Sequence, residues 1–152
     1  VSDDLYREVI LDHYRHPRNM GKLEAPDVCV KGVNPLCGDA IELTFIVRDG
    51  KIDDIKMAGN GCSISQSSAS MMTEALKGKS LADSAGLAGA FKKMMLENVP
   101  ADQLPDDLED LSVLEGVRKY PVRIKCALLA WNTLLEGLKE FQEKGAAHGR
   151  HG

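Results

Sequence analysis

Between Ala40 and Ala58 the chain alternates apolar and polar residues on either side of an Asp-Gly pair, and that pattern leaves few folds open. Ile41, Leu43, Phe45 and Val47 fall on one side of a period-two run, with Glu42, Thr44, Ile46 and Arg48 on the other. Asp49-Gly50 can supply the two positive φ values of a type I′ turn, so the run doubles back through Lys51 to Ala58 as an antiparallel pair. Ile52 is out of phase with Ile55 and Met57, which places a bulge near Asp53-Asp54. Val28 to Val33 reads as a third strand.

The rest of the pattern is helical. Residues 3 to 15 put Leu5, Tyr6, Val9, Ile10 and Tyr14 on one face, with Asp3 and Asp4 at the dipole-positive end and Pro17 as the stop. After Cys62, Ile64, Ser68, Met71, Met72, Ala75 and Leu76 share a face, Ser63 and Gln66 suggest a capping box, and Gly78 ends the helix. Ser80 and Asp83 open another helix to about Leu96, and 98–105 reads as a loop. Pro105-Asp106-Asp107 starts a helix carrying Leu108, Leu111 and Leu114. The last begins at Pro121 and runs to about Glu143, burying Ile124, Leu128, Trp131, Leu135 and Leu138. The class is α+β: a small sheet packed against four to five helices.

At 152 residues the chain is one ordinary domain, expected over 1–144 with a flexible tail at 145–152 that holds His148 and His151. No apolar run approaches the roughly 18 residues that span a bilayer. The first residues lack the basic and apolar regions of a secretory signal, so the expected location is the reducing cytoplasm and the thiols are expected free. A net charge of −4 argues against nucleic acid as a partner and for another protein.

Three of the four cysteines stand at element boundaries: Cys37 in Pro-Leu-Cys-Gly-Asp, Cys62 in Gly-Asn-Gly-Cys-Ser-Ile-Ser, and Cys126 in Pro-Val-Arg-Ile-Lys-Cys. Cys29, between Val28 and Val30, reads instead as a small buried hydrophobe. Cys126 falls away from the apolar stripe of its helix, and Cys62 stands at a helix N-terminus, where the dipole favours a thiolate. Asp39, two residues after Cys37, can converge with it if Gly38 permits the tight path. Cys37, Asp39, Cys62 and Cys126 would make a set of three sulfurs and one oxygen, compatible with tetrahedral zinc or with iron in a cluster. His13 and His16 read as helix-end histidines facing solvent or the dipole rather than as a metal pair. Met71-Met72 and Met94-Met95 read as core packing.

These motifs, with Asp-His-Tyr-Arg-His-Pro-Arg-Asn at 12–19, carry a resemblance over nearly the whole chain. The sequence resembles the U-type iron–sulfur cluster assembly proteins, the IscU/NifU-N family, and most resembles its SufU branch. The resemblance implies a three-stranded antiparallel sheet and a metal site in which Cys37, Asp39, Cys62 and Cys126 hold zinc. It also implies that sulfur arrives as persulfide from a SufS-like, pyridoxal-phosphate cysteine desulfurase, with Cys37 as the catalytic acceptor. In the second reading Cys37, Cys62 and Cys126 hold a transient [2Fe–2S] cluster that passes to apo-proteins or to SufBCD-type acceptors.

Three departures favour SufU over IscU. The residue before the third cysteine is Lys125 where the IscU pattern has histidine, and an ammonium cannot coordinate. The stretch between Lys77 and Cys126 is longer than in IscU. The segment by which IscU meets its chaperone reads Lys-Tyr-Pro-Val-Arg at 119–123.

Overall fold

The computed structural model describes residues 3–149, with side chains from Tyr6 to Gly145. The expected roles of Leu5, His148, His151 and the last residues of the tail therefore lie outside the described set. Helix α1 spans Asp3–Arg15, followed by strands β1 (Val28–Asn34), β2 (Asp39–Arg48) and β3 (Lys51–Asn60). Helices α2 (Ser63–Leu76) and α3 (Leu81–Glu97) come next, then a short 3₁₀ turn at Ala101–Gln103, a 3₁₀ stretch at Asp106–Lys119, and α4 (Pro121–Gly149). The last helix thus continues past the expected end near Glu143. Among the described residues, no helix is long and apolar enough to cross a membrane.

The strands form one antiparallel sheet in the order β1-β2-β3. Arg48 pairs with Lys51, and Asp49 and Gly50 have φ of 54° and 73°, as a type I′ turn requires. The register shifts between Ile46 and Val47, which face Asp54 and Ile52, so Asp53 is the extra residue of the expected bulge. That insertion lets Ile52 and Ile55 both point inward, each fully buried.

Helix α4 lies against β1 and β2 while α2 covers β3 and packs on α4. Trp131 sits between these layers, stacked on Phe91 at 5.0 Å, and its Nε1–H donates to Ser68 Oγ at 3.1 Å. Ser68 donates in turn to the Ala127 carbonyl at 2.7 Å, tying α2 to α4. Both methionine pairs are buried, as expected.

Four expectations are corrected. Cys29 is exposed, because Val28 and Val30 take the inward positions and a period of two turns the residue between them outward. Tyr14 is 45% exposed, while His13, placed three residues after Ile10, takes the buried position on α1. The α2 cap is Cys62, whose Sγ accepts from the Ser65 N–H at 3.5 Å; the helix begins at Ser63, so the Ser63/Gln66 box is out of register by one residue. Finally, Leu108, Leu111, Leu114 and Val117 bury from a 3₁₀ stretch, not an α-helix. The stretch kinks at Leu108 (φ −107°, ψ 18°), and beyond it Leu111, Leu114 and Val117 keep a spacing of three, which aligns side chains on one edge at three residues per turn but smears them around an α-helix.

Candidate metal centre

The turn joining β1 to β2 closes on the pair Asn34 and Asp39, and the Cys37 N–H bonds back to the Asn34 carbonyl at 3.3 Å. Gly38 takes φ of 69° at the same turn. Cys37 therefore rides on a four-residue loop, while Asp39 is anchored as the first residue of β2. At the same end of the sheet, where Asn60 pairs with Ala40, β3 hands over to α2 through Gly61, and Cys62 caps that helix. Cys126 comes from the second turn of α4 and is fully buried.

Cys37, Asp39 and Cys126 each offer a ligand atom, and the three atoms lie within 4.8 Å of one another. The two sulfurs are 3.1 Å apart. Cys62 Sγ lies 3.9 Å from Asp39 Oδ2 but outside that mutually close set. Asp39 is the hub: its Oδ1 accepts the Cys62 backbone N–H at 2.8 Å, and its Oδ2 lies 3.4 Å from Asn34 Nδ2. Burial pushes the Asp39 carboxyl up, but hydrogen bonds from the Cys62 backbone, Cys126, the Cys62 thiol and Ser65 outweigh it and hold the group below the usual carboxylate range.

Burial comes first in pushing the Cys126 thiol well above its ordinary range, followed by its hydrogen bonds to Cys37, Asp39 and Cys62. A neutral thiol packed among two other sulfurs and an ionised carboxylate is a donor set that a divalent ion would convert to thiolate ligands. Three sulfurs and one oxygen suit a tetrahedral ion. The residues present fit such a group.

Two residues with a part in this geometry were not singled out from the sequence. Asn34 is 7% exposed and directs Nδ2 at both Asp39 and the Cys126 sulfur, the latter at 3.6 Å. Arg123 faces Cys62 and Cys126; attraction to Cys62 and a hydrogen bond to it raise the guanidinium further above its ordinary value. Its signal in the sequence was spacing, since it precedes Cys126 by three residues on α4. Lys125 is exposed, and His16 is exposed at the far end of α1.

The NifU-like N-terminal domain model matches residues 5–126. The chain is 46% identical to the zinc-dependent sulfurtransferase SufU of Bacillus subtilis strain 168 over 136 residues, covering 90% of each chain. It is 44% identical to the iron–sulfur cluster assembly scaffold protein IscU of Streptococcus pyogenes serotype M1, covering 89% of this chain and 83% of that one. Two crystal structures share the fold. One is a SUF-system scaffold protein from Fervidobacterium islandicum AW-1 (TM-score 0.79, 32% identity, covering 91% of this chain and 99% of the other). The second is a NifU-like N-terminal protein from Brucella abortus (TM-score 0.85, 26% identity, covering 93% and 97%). Matched over most of its length and across every cysteine of the site, the chain belongs to the NifU-like N-terminal domain family.

Proposed function

We propose that this protein serves iron–sulfur cluster biogenesis as a SufU-type sulfur acceptor, with Cys37, Asp39, Cys62 and Cys126 as ligands of zinc and Cys37 as the residue that takes sulfur from a cysteine desulfurase. The observation that carries the reading is the placement of Cys37 on a short exposed loop while its partners Asp39 and Cys126 are buried in regular elements. One ligand can leave with little disturbance; the others cannot. Beside it Leu36 and Val122 are 66% and 53% exposed, an apolar rim suited to a protein partner.

Zinc, when bound, would hold the thiols as thiolates and keep them from oxidation. The transfer itself belongs to the chain. Cys37 thiolate attacks the outer sulfur of the donor's protonated persulfide; the new S–S bond forms on Cys37, the donor's S–S bond breaks, and the donor cysteine leaves as thiolate. No electrons are gained or lost overall. Arg123, facing the sulfurs from α4, supplies positive charge next to the anionic partners of this exchange.

The test is incubation with a cysteine desulfurase and cysteine, reading one added sulfur on the chain by intact mass. Wild type gains it and Cys37→Ser does not; a Cys37→Ser variant that still gains the sulfur overturns the assignment. Lys125, exposed and next to Cys126, offers no ligand for a cluster and so favours relay over scaffold. A reconstituted, visibly absorbing protein that passes its cluster to an apo-acceptor would establish the scaffold reading instead.

A further inference from the structure

Away from the thiols, α1, α2 and the 3₁₀ stretch each direct one ligating side chain to a common point. His13, Glu74 and Asp110 offer a ring nitrogen and two carboxylate oxygens within 4.8 Å of one another. We propose that these three residues form a second cation site, for a divalent transition ion that takes mixed nitrogen and oxygen ligands, such as Mn²⁺ or Fe²⁺.

The state of His13 carries the proposal. It is 4% exposed although both carboxylates are exposed. Its Nδ1 is fixed by Ser70 Oγ at 2.8 Å, and that oxygen also accepts the Arg18 backbone N–H at 2.8 Å. The opposite nitrogen, Nε2, points to Glu74, whose Oε1 is 3.9 Å away and beyond hydrogen-bonding distance. An imidazole anchored through one nitrogen with the other presented to carboxylates is how metal-ligating histidines are held.

Charge is consistent with a divalent ion. Arg18, the cation at the rim, spends its guanidinium on Asp12 at 2.6 Å and on the His16 carbonyl at 3.0 Å, and only grazes Glu74 at 3.9 Å. Glu74 and Asp110 then face a neutral imidazole with two negative charges between them. Burial and Arg18 both hold His13 below its ordinary value, which keeps the ring in its ligating form at neutral pH. With no sulfur in the set, the site prefers harder ions than the thiols do, so one probe can separate the two. A bound ion would clamp the 3₁₀ stretch to α1 and α2, and the site is independent of any sulfur transfer.

The experiment titrates MnCl₂ into the full chain with its thiol site already loaded with zinc, following free Mn²⁺ by electron paramagnetic resonance. Wild type is expected to remove one Mn²⁺ per chain from the free signal. Asp110→Asn and Glu74→Gln, both at exposed positions, should each weaken binding by about tenfold or more. Zinc content measured in parallel reads the thiol site separately, and circular dichroism confirms the fold of each variant. In ¹⁵N spectra the His13 ring should broaden at lower Mn²⁺ than the His16 ring. A free-Mn²⁺ signal identical to buffer throughout the titration, variants that bind as wild type does, or equal broadening of both rings would each overturn the site.

Discussion

Replacing Gly61 by alanine tests whether Asp39 is the residue on which the metal centre is organised. Gly61 has φ of +151°, and an added Cβ would collide with Asp39 Oδ1 while approaching Ser65 Oγ to 2.8 Å and Asp39 Cα to 3.0 Å. The carboxylate must swing away, which breaks its 2.8 Å bond from the Cys62 N–H. A hydrogen bond to a charged group contributes about 1.5–3 kcal/mol. The φ of +151° lies outside the left-handed helical well, in a region L side chains rarely adopt, and adds about 1–3 kcal/mol for any residue with a Cβ. Gly38 is the control: φ there is +69° with nothing within 4 Å of an added Cβ, so Gly38→Ala carries only the backbone part. Urea unfolding of the metal-free proteins should therefore show Gly61→Ala destabilised by roughly 2.5–6 kcal/mol and Gly38→Ala by roughly 1–2. If Asp39 ligates, zinc affinity measured against a chromophoric chelator falls about ten- to hundredfold in Gly61→Ala, at about 1.4 kcal/mol per decade. Equal behaviour of the two variants in both assays would refute the reasoning.

Leu111→Ala removes a side chain that is 1% exposed on the aligned edge of the 3₁₀ stretch and should lower stability by about 2–5 kcal/mol, whereas Leu96→Ala, at 58% exposure, should be near neutral in the same urea assay. Cys29→Ser should change stability by less than about 0.5 kcal/mol and leave sulfur acceptance intact, since the thiol faces outward and bonds only Glu42 at 3.3 Å. Stability should also fall in mild acid. Burial holds folded His13 below its ordinary value of 6.5, with Arg18 adding to this and Glu74, Asp12 and Asp110 opposing it, so the unfolded chain takes up the proton first. The contribution is complete above 6.5 and is lost as pH drops through the lower folded value. Thermal melts over that window should show a steeper decline for wild type than for His13→Gln.

What could be read from the sequence is what rests on local periodicity. The hairpin, its I′ turn and the bulge at Asp53 follow from period two and one phase error. Cys37 and Cys62 stand out by their glycine-bearing surroundings, and Cys126 by its place off the apolar stripe of α4. Misreadings came where a local signal had two solutions. Leu108, Leu111 and Leu114 are compatible with an α-helical face, but a spacing of three suits 3₁₀ geometry better. On α1, Tyr14 shares a face with Ile10 by its spacing of four, but 6, 9, 10 and 13 make the tighter helical face and leave His13 inside. Asn34 escaped because its partner Cys126 is 92 residues away, and no local pattern encodes that contact.

The same geometry settles which cation accompanies the third cysteine. At about 100° per residue, position 125 is turned 100° from Cys126 around α4, whereas position 123 is only about 60° away and one turn nearer the helix start. Arg123 can therefore lie over the sulfurs while Lys125 points outward, as their surroundings show. Cys126 itself was expected off the buried stripe, yet residues 126 to 131 are buried all round. The cause is position rather than composition: this part of α4 runs between the sheet on one side and α2 and α3 on the other, so no face reaches water. A thiol on the face opposite the main stripe is then enclosed too, and it is Asp39, Asn34 and the turn bearing Cys37 that enclose it. Burial of Cys126 and assembly of the centre are thus one structural event, produced by docking α4 on the β1–β2 edge.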